Sequence, residues 1–352
     1  MANPYSNLPS KSFWKTAVSE KNAFNLENLY EKKFEIGRAD RIATAGSCFA
    51  QHVGTNLHLR GFNVVDVEPA PSYLSAAEAR DSGYGIYSAR YGNVYTVRQM
   101  LQLLTDARSA TVRDEDFLLK NDRYIDLLRP GIESAGYDSL EEAKYNRLSH
   151  LEHVVELFSG IDVFVFTFGL TEAWINKVSG TVYPICPDTL TDTTSGNYRF
   201  HNFTYDEIIG DFRALQALLR QSLPELRFLL TVSPVPLTAT ASKNHVLVAT
   251  TYSKAVLRAV CGALEAESAS VDYFPSFEVI TASLTRGVFY EPNLRAVNPT
   301  GVSRAMAVFF GELDRNPPAA AVGRPAATAA EDAEARKEEV VCEEILLEAF
   351  AR

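Results

Sequence analysis

Nine residues, IDVFVFTFG (161–169), constrain the fold more than any other stretch of the chain. A strand this apolar on both faces needs cover on both sides, so it reads as the central strand of a buried sheet. Shorter apolar runs repeat the signal at RIATA (41–45), FNVVDV (62–67), RFLLTVSPVP (227–236) and SVDYFP (270–275). Helical periods lie between them. Phe49, Val53 and Leu57 recur at i, i+4 and i+8 until Gly61 stops the helix. Thr96 caps a helix with an apolar face of Val97, Met100, Leu101 and Leu104, and Ser139-x-x-Glu142 is a capping box for the next. Further helices are expected over 205–223, 248–266 and 301–313, a hairpin at INKVSGTVYPI (175–185), and irregular chain over 108–136. Strand and helix alternate five times. The expectation is an α/β fold: a doubly wound, mainly parallel five-stranded sheet between layers of helices, flavodoxin-like in its three layers. In such sheets ligands bind beyond the carboxyl ends of the strands, which directs attention to 46–48, 68–75, 169–174, 233–245 and 275–278.

The ends of the chain differ from this body. Residues 1–38 read as a polar arm anchored by Trp14, Phe24 and Phe34, and 39–315 as the α/β domain. NPPAAAVGRPAATAA (316–330) is an Ala/Pro linker. Residues 331–352 hold eight acidic and three basic side chains, a net −5 that is half of the chain's −10. Val341, Ile345 and Ala349, with Cys342, Leu346 and Phe350, form adjacent i+4 rows, so this tail is expected to be an acidic amphipathic helix. It would dock on its own domain, on a partner or on a second copy. A mildly acidic body argues against a nucleic-acid partner. Four cysteines without a C-x-x-C pair, no signal-peptide pattern and no run of 18 apolar residues suggest a reduced, cytoplasmic protein without membrane insertion, thiolate metal site or cofactor.

Two nucleophilic atoms stand together in ATAGSCFAQHVG (43–54), at the passage from the first strand to the first helix. A serine there is held by the strand, faces the open edge of the sheet, and lies in the partial positive charge of the helix N-terminus. Gly46 lets the backbone turn. Ser47 is expected to face the site and Cys48 to turn into packing, although a Gly-Ser pair is also what an ordinary helix cap looks like.

TAGSCFAQHV contains Gly46-Ser47-Cys48-Phe49-Ala50, the string that names the GSCFA domain family. Together with YGNVYTVRQMLQLL, FTFGLTEAW, TVSPVPLTATAS, YSKAVLRAV and VDYFPSFEVI, spanning about 40–310, it identifies the chain as resembling that family. The family in turn resembles the SGNH (GDSL-like) hydrolases. Their pattern is a serine after strand one, an oxyanion Gly and Asn after later strands, and Asp-x-x-His near the C-terminus. Carried over, Ser47 matches the nucleophile. The resemblance implies an oxyanion site built from the N–H groups of Ser47 and Gly169 with Thr171, which stands in the asparagine's place. Glu172 and Trp174 follow; Trp174 would wall a sugar or acyl pocket or simply pack in the core.

Two departures matter. EPAPSYLSA offers Pro69 and Ser72 where the pattern has a glycine, and Asn293 and Ala296 replace the acid and base. Neither can take a proton. Among His52, His58, His150, His153, His201 and His245, the last follows strand four on the active edge and is the expected base, with Asp272 or Glu278 to orient it. His150 and His153 read as a helix-surface pair. The reading is therefore an esterase or O-acyltransferase acting on an acyl ester of a carbohydrate or surface-polysaccharide precursor. Its rival is an SGNH-like domain that keeps the fold without catalysis and binds a glycan or protein.

Overall fold

The computed structural model describes residues 3–191 and 194–315, with Leu347 alone beyond them. The linker and the expected terminal helix, 316–352, otherwise lie outside the described residues. In chain order the elements are β1 (Ile42–Gly46), α1 (Phe49–Leu59), α2 (Ala76–Asp81), α3 (Val97–Ser109), β2 (Phe117–Lys120) and β3 (Arg123–Asp126). Then come α4 (Leu140–Leu157), β4 (Val163–Phe168), β5 (Glu172–Asn176), β6 (Val182–Tyr183), β7 (Tyr198–Asn202) and α5 (Tyr205–Arg220). The described chain closes with β8 (Arg227–Val232), α6 (Val246–Glu267), β9 (Val271–Tyr273), α7 (Ser276–Thr281) and α8 (Pro299–Leu313).

The central sheet has four strands, ordered β1-β4-β8-β9 and parallel throughout. The apolar run 161–169 supplies β4, paired on both sides as its composition required. Its residues alternate between two cores. Phe164, Phe166 and Phe168 face α3, α4, α5 and α6, whereas Val163 and Val165 face α1, α7 and α8. Full burial of each such side chain contributes about 1.5–3 kcal/mol.

The expected fifth strand is corrected. FNVVDV gives only one bridge, Val64 to Ile42. Val65 N–H still reaches the Ile42 carbonyl, but the next outward amide of β1, Thr44 N–H, donates to Ser88 Oγ at 2.9 Å. The Val67 N–H likewise goes to the Ser88 carbonyl. Residues around Ser88 thus stand where a ladder would continue.

Two smaller sheets flank this core. The expected hairpin at 175–185 is β5 and β6, and β7 pairs on the other edge of β5. The segment 108–136, expected to be irregular, holds the β2–β3 hairpin, turned by Asn121 and Asp122 at φ of 50° and 60°. The arm lies on the body. Of the expected anchors, Phe34 packs against the core and Phe24, though 54% exposed, meets Phe289 edge-on, whereas Trp14 is 68% exposed. Ala23, Leu26, Tyr30 and Ile36 are buried with them. Tyr30 Oη and Lys33 N–H both donate to Asp272 Oδ2, at 2.8 and 3.0 Å.

Candidate active site around Ser47

At the end of β1 the chain turns with Gly46 at φ +137°, where a Cβ would stand 2.4 Å from the Thr167 carbonyl of β4. Only glycine fits there. Ser47 follows, 3% exposed. Its N–H donates to Thr167 O (3.2 Å), and its carbonyl accepts from Ala50 N–H and Tyr87 Oη. Its Oγ has no hydrogen-bond partner among the described residues. The capping alternative therefore fails: Cys48 holds the N-cap position of α1, with no side-chain cap bond. Cys48 is buried.

Gly169, just past β4, forms the facing wall. A Cβ there would lie 2.9 Å from Ser47 Cβ and 3.0 Å from Tyr95 O. Thr171, fully buried at the head of β5, also has an unpartnered Oγ1, as does Thr167. Buried hydroxyls are paired in the great majority of cases, so three at the carboxyl ends of neighbouring strands is an unusual concentration.

The expected oxyanion donors need correction. Ser47 N–H is engaged by Thr167 O, and Gly169 N–H donates to Tyr95 O at 3.1 Å. Of the three donors expected from the resemblance, only the Thr171 hydroxyl is unspent.

Two neighbours were missed in the sequence. From α6, Ser253 Oγ accepts the Thr171 N–H (3.1 Å), and Lys254, 3% exposed, donates from Nζ to the Gly169 carbonyl at 2.7 Å. From the segment before α3, Tyr87 Oη bonds Asn93 Oδ1, and Gln51 Nε2 reaches both. A buried polar network holds that segment. Arg90 N–H donates to Glu68 Oε2 (2.6 Å) and the Arg90 carbonyl accepts from Arg129 (3.0 Å). Arg129 and Arg147 both pair with the buried Asp126.

His150 is part of this network rather than a surface residue: it is 1% exposed, with Nδ1 2.7 Å from Glu68 Oε2. Burial pushes its pKa down to about 4, so near neutral pH the ring is uncharged and its Nδ1–H donates to the carboxylate. Burial alone would raise the Glu68 carboxyl, but the bonds from His150 and Arg90 bring it down to about 2.

The remaining candidates spread out. His245 is exposed and is the N-cap of α6, its Nδ1 accepting the Leu247 N–H at 3.1 Å. Its expected orienting acids are turned elsewhere: Asp272 to the arm, Glu278 to Arg258 (2.6 Å) and Tyr273 Oη (2.8 Å). His201 pairs with Glu207. Asn293 Oδ1 closes its own turn on the Arg295 and Ala296 amides. Glu172 and Trp174 share the half-exposed face of β5. Thr240 donates to Glu172, whose carboxyl burial raises, and Trp174 packs edge-on against Phe200. Tyr95, Leu170, Leu237 and Ala249 pack together, with Val246 against them. The cavity reaching Asn93 and Val94 measures about 30 Å³, room for roughly two waters. A 600 Å³ groove lies between the arm and residues 283–288, and none of the serine's neighbours lines it. Among the described residues no group of three or more His, Cys, Asp or Glu side chains is placed to hold a metal.

A parallel α/β sheet with a buried serine at the first strand-to-helix turn, faced by a glycine after the neighbouring strand, defines a class of site-bearing α/β domains. The family comparison narrows the class: the GSCFA family model matches residues 41–309, most of the chain, and the protein belongs to the GSCFA family. No curated protein and no solved structure matches it.

Proposed function

We propose that this GSCFA domain, SGNH-like in layout, is a serine-dependent esterase or O-acyltransferase acting on an acyl ester, with carbohydrate as the acyl-bearing group. The observation that carries the reading is Ser47 Oγ: it is buried, serves no cap and bonds to nothing described, although the turn beneath it requires Gly46. A hydroxyl so placed has no structural task, and the N-terminus of α1 lowers the cost of negative charge beside it. Thr171 Oγ1 is the remaining donor of the expected oxyanion set. Glu172 and Trp174 offer a carboxylate and a ring edge on one strand face, a combination suited to sugar hydroxyls and C–H faces. The test is turnover of p-nitrophenyl acetate and labelling by a fluorophosphonate, with Ser47→Ala as the comparison; both signals are expected in the parent and lost in the variant.

One observation favours the rival reading, a binding domain without catalysis: the Ser47 and Gly169 amides are already spent inside the fold. Absence of serine-dependent turnover and labelling in the parent establishes that alternative.

A further inference from the structure

Resting on the serine-ester reading, the geometry points to Lys254, not a histidine, as the group that takes the proton from Ser47. Lysine on an amphipathic helix normally reaches into water, yet this one is 3% exposed and turned inward. Its Nζ is 2.7 Å from the carbonyl of Gly169, and the α-carbon of that glycine abuts the Ser47 side chain closely enough that a methyl would collide with it. Amine and hydroxymethyl thus lie against one residue, at the end of the strand next to the serine's own. Ser253, one position earlier on α6, fixes Thr171 through its amide, so the same turn of helix grips both ends of the loop 169–171. Removing a lysine from water favours its neutral amine, the form that can act as a base. Of the other titratable side chains on the elements around this point, Cys48 at the head of α1 and Tyr95 before α3 are buried, and burial holds the ring of His52, further along α1, down at about 4. Glu172 at the start of β5 is bonded by Thr240, and on α6 itself His245 and Tyr252 are exposed and Arg258 is paired with Glu278.

The step balances without a cofactor. A swing about the lysine's flexible stem moves Nζ from the Gly169 carbonyl to Ser47 Oγ. The neutral amine accepts the Ser47 proton as Oγ bonds to the acyl carbon, and the carbonyl electron pair moves onto oxygen beside Thr171. Collapse of that intermediate expels the alcohol, which takes the proton from the ammonium. Water or an acceptor hydroxyl then repeats the exchange on the acyl-serine.

The experiment is the rate of fluorophosphonate labelling at Ser47 across pH, for the parent, Lys254→Met, Lys254→Arg, His245→Gln and Ser47→Ala, with thermal melting to confirm folding. The parent rate should climb with pH until the amine is neutral. Lys254→Met and Lys254→Arg should each label about 10²–10⁴-fold more slowly and lose that climb. Arginine is the decisive variant: it can still donate to the Gly169 carbonyl but cannot accept a proton. A strut role predicts that Lys254→Arg labels at the parental rate with the parental pH profile, and that outcome overturns the assignment. So does a comparable loss in His245→Gln with the Lys254 variants unaffected. If the parent is not labelled at Ser47 at all, the serine-ester reading itself falls.

Discussion

Gly169→Ala tests the contact between the two strand ends directly. The new methyl would stand 2.9 Å from Ser47 Cβ, 3.0 Å from Tyr95 O and 3.2 Å from Tyr95 Cα. Two of these are backbone atoms, and Tyr95 O also holds the Gly169 and Leu170 amides in place. The strain must therefore be relieved by moving the Ser47 side chain or the end of β4. Overpacking of this kind costs about 1–3 kcal/mol. At roughly 2–4 °C per kcal/mol for a large domain, the melting temperature should fall by about 2–12 °C. Displacing the serine by about 1 Å should slow fluorophosphonate labelling by about 10²-fold. Gly210→Ala is the control. That glycine lies within α5 with nothing inside 4 Å of its added methyl, so the change should stabilise by about 0.5–1 kcal/mol through helix propensity alone. Calorimetric melting and labelling rate are measured on both variants. If Gly169→Ala melts and reacts like the parent, the close approach of Gly169 to Ser47 is wrong.

Asp126→Asn leaves Arg129 and Arg147 buried beside a neutral amide; urea unfolding should show a loss of about 3–5 kcal/mol, and a change under 1 kcal/mol refutes the pairing. His150 has a folded pKa depressed to about 4, so its contribution is complete above the unfolded value near 6.5 and disappears as pH falls from there towards 4, about 3 kcal/mol in all. Glu68, held at about 2, extends the same direction of loss to lower pH. Urea unfolding of His150→Gln at pH 7 and 4.5 should show a smaller difference between the two than the parent does; an equal difference removes His150 from the account. Cys48→Ala should leave serine labelling intact, and loss of labelling there with retention in Ser47→Ala would transfer the nucleophile to the thiol.

The layers of the fold were legible because β4 and the helical faces around it obey simple periods. Phe164, Phe166 and Phe168 alternate with Val163 and Val165, and each set meets its own layer of helices. The strand at 62–67 misled because its composition is that of a strand, whereas its continuation was decided by a rival donor–acceptor pair, Thr44 with Ser88, 44 positions apart. Asn121-Asp122 between FLLK and RYID was a readable hairpin signal, since both residues tolerate positive φ. The site divides the same way. The Gly46-Ser47 turn is local and visible. Lys254 and His150 were not, because a lysine and a histidine among helical periods look solvated until another element is packed over them. His245 drew attention by lying after the correct strand, but it sits at a helix start, where its ring can cap the backbone.

The tie between Tyr30 and Asp272 spans 242 positions, and this sets an order of events during synthesis. The arm leaves the ribosome before the body it clasps, and its acceptor lies on β9, the strand of the sheet made last. At about 5–20 residues per second the arm waits about 10–50 s for its partner. Over that interval β1 and α1 are already made, and the face that α7 and α8 will cover exposes Ile42, Phe49 and Val53. A nascent chain halted between the end of α1 and residue 272 holds the serine's turn but not the clasp that closes the domain behind it.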